Sequence, residues 1–525
     1  MKVNFTRMMR QIVRSHGALE ALVNVERGRR YTYSQLHQLT NRIVNMMRGK
    51  LGLVRGTSYI YLLENDNLSL LHAWTILKGD AAAVLTNLHD TYDEHLWQMD
   101  WIGPKVAFVE AGLVDRYYDA MCARGIAIVT MDPLPTPRDG VAYFWDLLEG
   151  VAETDPDVEN DAHDDVLIYR FTGGTTGRGK CAQYTTDIWL ACRDAFYIED
   201  ENPFRVGARS LQIAPLSHGA ALTVLPLMFR GGCLVTHNLP DLVSWCRTVE
   251  QERITTATLV PTMLYRLLEL AEAAQYDLSS LGFIYYGAAP MSAAKLTQLQ
   301  ARFGNIFIQV YGATECFQSI STLARAQHLP EPDGSMPHLS SAGRISAAVE
   351  VRIVDDGGND LPDGATGEVW MRARTTIPGY YKNPEGTASE FENGFWKSGD
   401  LGYRDAEGFL FIVDRKKDMI ITGGFNVYAI EVEGALDSHP DVTMSAVVGI
   451  PHPEWGEAIH AEVVVISGSS VSEADLIEHA RARLSRHKAP KSISFVEALP
   501  LSAAHKVLRR VVREKYWKDQ ASRVA

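Results

Sequence analysis

The sequence predicts an α/β protein: a large N-terminal domain of α/β sheet subdomains plus a small β-rich subdomain, followed by a small α+β C-terminal domain. Three patterns carry this expectation. Across residues 1–325, short apolar runs of strand length alternate with longer helical patterns, as in parallel sheets covered on both faces. From 340 to 413 the chain changes to short β segments joined by tight turns, Asp355-Asp356-Gly357-Gly358, Pro362-Asp363-Gly364 and Asp405-Ala406-Glu407-Gly408, which is hairpin chemistry. The chain beyond 418 is long enough for one small domain.

In order, a helix opens at Tyr33-Ser34-Gln35-Leu36 and continues its apolar face through Ile43, Val44 and Met47. Strands are expected near 58–63, 107–109 and 126–129. The acidic, turn-rich stretch 153–165 reads as a connection, and Val166-Leu167-Ile168-Tyr169-Arg170-Phe171 as a strand running into a Gly/Thr cluster. Further strands are expected at 211–214, 233–236, 258–260, 283–286 and 306–310, with a helix over 261–268. The charged cluster Asp414-Arg415-Lys416-Lys417-Asp418 interrupts the chain. Beyond it, strands near 445–450 and 461–466 and a helix from Ser472 to about Leu484 complete the pattern.

Composition narrows the function. Of 525 residues, 46% are hydrophobic and 22% charged, which excludes wholesale disorder. The net charge of −13 argues against a nucleic-acid partner, because phosphate neutralisation needs clustered Lys and Arg. An anionic substrate must then be held locally, by a loop and a few placed cations. The six cysteines form no C-x-x-C pair, so neither a disulfide framework nor a zinc site is expected. The first residues lack an apolar signal core and no run of 18 apolar residues occurs; a cytoplasmic protein with no membrane span is the simplest expectation.

Thr172-Gly173-Gly174-Thr175-Thr176-Gly177-Arg178-Gly179-Lys180 is the most informative segment. Its glycines free the backbone to expose successive N–H groups, while its hydroxyls and Lys180 add donors, a composition suited to wrapping phosphate oxygens. Gly174 to Lys180 also imitates a Walker A loop. There, however, the next residue should be Ser or Thr and a helix should follow; Cys181 and the extended Ala182-Gln183-Tyr184 contradict both. A strand–loop–strand clamp is the expectation.

Four further motifs follow: Tyr286-Gly287-Ala288-Ala289-Pro290, Tyr311-Gly312-Ala313-Thr314-Glu315, Trp396-Lys397-Ser398-Gly399-Asp400 with Asp414-Arg415 behind it, and Pro500-Leu501-Ser502-Ala503-Ala504-His505-Lys506. In this order the set resembles the adenylate-forming superfamily over roughly residues 20–515. Asp414–Ile420, Asn426-Val427-Tyr428 and the segment 449–457 are similar to its acyl-CoA synthetase, AMP-dependent ligase branch.

The resemblance implies a two-step reaction, in which a carboxylate attacks the α-phosphate of Mg2+-ATP and CoA then displaces AMP from the acyl-adenylate. It assigns Thr172, Gly174, Thr175, Thr176, Gly177 and Lys180 to the β- and γ-phosphates. Gly287, Ala288, Ala289 and Pro290 go to the adenine, with Tyr311 stacked upon it and Gly312 beside it. Thr314 would touch the α-phosphate, Glu315 bind magnesium, and Asp400 and Arg415 hold the ribose. Lys506 would be the lysine that reaches the reacting centre during adenylation only, and Gly424 would lie near CoA. His218, in the acyl-pocket segment Pro215–Leu222, joins Lys506, Thr314 and Glu315 as catalytic residues. The implied domains are 1–413, a hinge at 414–418 with Lys417 as its pivot, and a mobile 419–525. The apolar or aromatic Val260, Met263, Tyr286 and Val310 suit a hydrophobic carboxylic acid — fatty, aryl or alicyclic — with core packing as the competing reading.

Several positions depart from the family pattern. Gly173 replaces Ser, Gly179 replaces Pro, Cys181 replaces Gly, Ala429 replaces Pro, and His505 stands where Gly is usual and a positive φ would be required. No charged catalytic group is lost, so activity is expected. A ligase that loads a carrier protein and a non-catalytic nucleotide- or acyl-binding homologue remain open, as does a homodimer.

Overall fold

A computed structural model describes residues 1–172, 178–199, 201–238, 241–502 and 505–517. The expected Gly174, Thr175, Thr176 and Gly177 contacts therefore lie outside the described residues.

Two large sheets form the body. The first runs, by strand, 181–185, 166–171, 82–85, 58–62, 106–109, 127–130, 141–143 and is parallel except for its first member. The second has nine strands, with a parallel centre formed by 307–311, 283–287, 256–259, 209–212, 233–236 and 20–24. The N-terminal hairpin thus belongs to the second sheet, although in sequence it precedes the first. Glu20–Asn24 is a strand not expected from the sequence, and the long-range pairing of Leu22 with Leu234 sets the sheet it joins.

Local chemistry sets the elements between them. Thr32 and Gln35 form a capping box that starts helix Tyr33–Gly49, Thr185 caps Thr186–Ile198, and Pro261 sits at the first position of Pro261–Glu269. Leu36, Ile43, Trp189 and Leu227 join one apolar cluster between the two sheets. Each such buried side chain contributes about 1.5–3 kcal/mol.

The expected β-rich region is a five-stranded antiparallel sheet, with Asp405–Gly408 turning between Phe395–Arg404 and Leu410–Arg415. The C-terminal sheet pairs Val442–His452 with Gly456–Val465 and is backed by helices Ala429–Asp437 and Glu473–Arg481.

This C-terminal unit docks on helix Pro261–Glu269. Tyr265 packs with Met444, Ala446, Val448 and Leu499. Thr443 donates to Glu269 (2.7 Å), and Thr262 donates to the His505 carbonyl (2.8 Å). The contact is a small apolar patch with a few polar bonds, typical of interfaces that allow relative motion. Among the described residues no helix is long and apolar enough to cross a membrane.

Candidate active site

The loop after Val166–Phe171 is clamped as expected. Thr172 N–H donates to the Lys180 carbonyl (2.8 Å), and Lys180 N–H donates to the Thr172 hydroxyl (3.1 Å). Strand Cys181–Thr185 then returns antiparallel, with Phe171 opposite Cys181. Strand–loop–strand holds, and the Walker alternative is excluded. A Cβ on Gly179 would meet the Thr172 carbonyl oxygen at 2.3 Å, so here the absence of the family's proline is a steric requirement of the closed loop.

The Lys180 ammonium pairs with Glu390 and lies 5.1 Å from the Tyr380 ring centroid. The Tyr380 hydroxyl is within hydrogen-bond distance of both Glu390 (2.6 Å) and Glu315 (2.8 Å). Glu315 is buried, and burial raises its pKa while Tyr380 opposes the rise. Tyr380 and Glu390 were not among the residues singled out in the sequence; the run Pro378-Gly379-Tyr380-Tyr381 was the available signal.

Parallel strand ends supply the next group, as expected of ligand sites in open α/β sheets. Gly287 is opposite Val310, and any Cβ there would meet the Val310 carbonyl oxygen at 2.1 Å. Ala288 follows at φ 64°, in the left-handed region. Tyr184 donates to the Thr314 carbonyl (2.7 Å). Tyr311 donates to Asp400 (2.5 Å), and Arg415 Nε pairs with Asp400 at 3.2 Å. Asp400 and Arg415 are cross-strand partners, which fixes this pairing in the β-rich sheet.

Lys506 reaches the same place from the C-terminal unit. Its side chain is open to the water of the cleft but ringed by protein. Burial first, then the Arg415 charge, lower its pKa to about 8, with Asp400 opposing. The Lys417 pKa is lowered by burial and Arg415, with Asp418 and Asp400 opposing and Lys180 adding to the fall. Lys180, Arg415, Lys417 and Lys506 thus gather around buried carboxylates, a local concentration of cations in a chain of net charge −13. His218 sits at the edge of this group, half-buried, its Nδ1 3.1 Å from the Ser217 hydroxyl. Burial, then Arg170, then Lys506, push its pKa down to about 3, so it is neutral.

A pH profile tests the Lys506 environment. We expect kcat/KM for pyrophosphate release to fall as pH rises through about 8, because a lysine with a lowered pKa loses its charge there and not above 10. The same limb should be missing when acyl-adenylate is supplied and only the thioester step is measured.

Three departures from the family pattern find physical accounts. His505 does adopt φ 56°, which costs about 1–2 kcal/mol in a residue other than Gly. We expect His505→Gly to speed adenylation several-fold by easing the docked loop, read as initial pyrophosphate release. Ala429, unlike proline, has an N–H, which donates to Asp414 (2.5 Å) and ties the hinge segment to the first helix of the C-terminal unit. Gly179 is described above.

Gly424, at φ 83° in the turn between Ile420–Thr422 and Phe425–Val427, is exposed. One expectation is not met by contact. Tyr286 is no pocket wall: its hydroxyl meets Gln309 (3.0 Å) and His328 (2.9 Å) inside the apolar core. Strand alternation turns it away from the cleft. Met263 is in the same core, and Val260 packs against it.

Comparison with known proteins agrees with this geometry. Residues 9–381 match the family described as AMP-binding enzyme, and residues 431–506 match the AMP-binding enzyme C-terminal domain. The chain is 34% identical over 398 residues to the medium/long-chain-fatty-acid–CoA ligase FadD8 of Mycobacterium tuberculosis, covering 74% of this chain and 68% of that protein. It is 36% identical over 356 residues to a feruloyl-CoA synthase of Amycolatopsis sp, covering 67% and 70%. It is 31% identical over 513 residues to the fatty acid–[acyl-carrier-protein] ligase ScoC of Streptomyces coeruleorubidus, covering 95% and 94%. Among solved structures, ATP-bound MatB from Rhodopseudomonas palustris superposes with a TM-score of 0.84 at 26% identity, covering 99% of both chains.

Proposed function

The chain belongs to the AMP-binding enzyme family, within the adenylate-forming superfamily, and we propose that it is an acyl-CoA synthetase that activates a hydrophobic carboxylic acid as its adenylate. The observation that supports this best is the convergence of Lys180, Glu315, Asp400, Arg415 and Lys506, from five separated segments, on one cleft.

ATP would lie with its phosphates against the Thr172–Lys180 loop, its adenine along Gly287-Ala288-Ala289-Pro290 and Gly312, and its ribose on Asp400 and Arg415. Tyr311 donates to Asp400 and so holds the carboxylate where ribose hydroxyls can donate to it. The acid's carboxylate attacks the α-phosphorus, the bond to pyrophosphate breaks, and charge grows on the α-phosphate oxygens. Lys506 and the Thr314 hydroxyl supply positive charge and a donor there, the kind of preorganised stabilisation that dominates such reactions. His218, neutral, contributes a ring donor beside the acyl group and adds no charge that would compete for the carboxylate. The thiolate of CoA then attacks the acyl carbon, and AMP leaves.

Magnesium fits the residues present. Glu315 is a buried carboxylate whose side chain accepts from the Tyr380 hydroxyl, and among the described residues no cluster of three or more ligands competes with it. One carboxylate plus substrate phosphates and waters is the usual protein share of such a site. Bound there, the ion would neutralise phosphate charge.

We assign residues 1–413 to the large domain, 414–418 to the hinge and 419–525 to the small domain. The docked arrangement, with Lys506 in the cleft and Gly424 exposed, suits adenylation; rotation about Lys417 would exchange the two for the CoA step. ScoC gives a second reading specific support: a carrier-protein thiol as acceptor.

Pyrophosphate release across a panel of acids, followed by AMP release with CoA or with a phosphopantetheinylated carrier, tests both. CoA consumption supports the first reading, carrier loading without CoA use the second. ATP turnover with no acid present would overturn both.

A further inference from the structure

Arg170 is a buried cation that meets aromatic rings but, among the described residues, no carboxylate. It is 3% exposed. It lies on strand Val166–Phe171, two residues before Thr172. Phe171 points to one face of the sheet and packs on Trp97 (5.2 Å). Arg170 points to the other, its guanidinium 4.8 Å from the Phe317 ring centroid and 5.2 Å from that of Tyr184. Its Nε and Nη2 are buried without a hydrogen-bond partner, and among the described residues it forms no ion pair. An arginine stays charged even when buried, and a buried charge lacking a partner is among the costliest features a fold can carry.

The unpaired atoms are not scattered. Nε and Nη2 form one edge of the guanidinium, whose two N–H groups run parallel. Elsewhere in this chain that edge holds a carboxylate with two bonds: Arg124 binds Asp100 this way (2.7 and 2.9 Å), and Arg30 binds Glu20 (2.6 and 3.0 Å). At Arg170 that edge is buried and has no hydrogen-bond partner.

Beside it are further buried polar groups. Phe317 stacks with Trp189 (6.3 Å), and Trp189 lies 5.3 Å from His72. Trp189 Nε1 has no hydrogen-bond partner, and burial and the Arg170 charge lower the His72 pKa to about 3, so its ring is neutral. The cluster adjoins the active site from two sides. Tyr184 bonds the Thr314 carbonyl, and the Arg170 charge is near enough to depress His218, which Lys506 also reaches.

We propose that Arg170, flanked by His72 and Trp189, receives a second carboxylate of the substrate, so that the preferred acid is a dicarboxylate with an apolar body between its two ends. This rests on the ligase reading above and narrows its substrate class. One carboxylate is adenylated beside Lys506 and Thr314; the other takes the unpaired edge of Arg170, and the ring N–H groups add donors. Arg170 determines specificity and takes no part in bond making.

The test uses the full-length enzyme with matched pairs of acids, hexanoic against hexanedioic, octanoic against octanedioic, and benzoic against the benzenedicarboxylic acids, scored by pyrophosphate release. We expect one or more diacids to exceed their monoacid partners by at least about tenfold in kcat/KM, since a site built around a polar group rejects analogues lacking it. Arg170→Met should remove that preference mainly through KM and leave monoacid rates within about threefold. Arg170→Lys keeps the charge but loses the paired edge, so it should lie between the two. Arg170→Met should also melt higher than the wild type without ligand, because an unpaired buried charge is gone, and should lose the rise in melting temperature that the preferred diacid gives the wild type without ATP. A purely structural arginine would give neither result.

Equal rates for both members of every pair, or equal loss of mono- and diacid activity in Arg170→Met, would overturn the proposal. The second result would mean that Arg170 serves the reacting carboxylate. Silence toward every acid of any kind would instead overturn the ligase reading. If Arg170→Met does not fold, the wild-type preference and Arg170→Lys decide.

Discussion

Lys506→Ala should lower acid-dependent pyrophosphate release by about 10²–10³-fold, the range found when one preorganised donor is removed from a transition state, while thioester formation from supplied acyl-adenylate stays within about threefold. The asymmetry follows from position. Lys506 is held in the cleft by a loop whose only cross-domain hydrogen bond among those described runs from Thr262 to the His505 carbonyl. Its ammonium lies near Asp400 and Arg415, where the α-phosphate would lie in the proposed geometry. Removing it deletes charge from the first half-reaction. The second proceeds, in the proposed cycle, after the small domain has carried Lys506 away. Stopped-flow measurement of the two half-reactions checks this directly; equal losses in both would mean that Lys506 acts on folding or on the acyl group.

The other large effect is expected at the hinge. Lys417 follows strand Leu410–Arg415 within a turn in which the Asp418 and Met419 N–H groups both donate to the Arg415 carbonyl (2.9 and 3.1 Å). Proline at 417 would fix its φ near −65°. Rotation of a domain about a hinge requires large φ/ψ changes at very few residues, so Lys417→Pro should favour one conformer. We expect the thioester step to fall by at least about 100-fold with adenylation retained to within tenfold, since the docked arrangement already exists in the folded chain. Two unchanged half-reactions would place the pivot elsewhere. Loss of the Lys417 charge is controlled by Lys417→Ala, which removes the ammonium without fixing the backbone.

How far the sequence could be read depended on the range of the interaction concerned. The strand at 166–171, the strand at 233–236 and the helix opening at Tyr33 were legible because periodicity and turn residues act over a few positions. The phosphate loop was legible for the same reason. Cys181 and the extended residues after it argue against a P-loop, and the antiparallel return of Cys181–Thr185 agrees. The positive φ at His505 was also foreseeable, because a residue in a glycine position inherits that position's backbone.

Contacts between distant segments were not legible. Tyr380 looks like one of 21 tyrosines until the fold sets its hydroxyl between Glu315 and Glu390. Tyr286 had the right chemistry for a pocket wall, but the face on which a side chain falls depends on pairing register, and its register turned it to the core. Arg170 is the sharpest case. In the sequence it is one charged residue in an apolar strand; its meaning lies in having no partner, and a missing partner can be seen only when every neighbour is in place.

By itself the sequence determined the α/β class, the order of the motifs and a Gly/Thr loop of a composition suited to phosphate oxygens, because covalent order and local backbone preference carry that information. The tertiary structure alone decided which sheet the N-terminal hairpin joins, that cations from the body and the small domain come together, and that Arg170 is buried with an unpaired edge. Those outcomes depend on burial and electrostatic fields summed over residues hundreds of positions apart, and no local pattern encodes such sums.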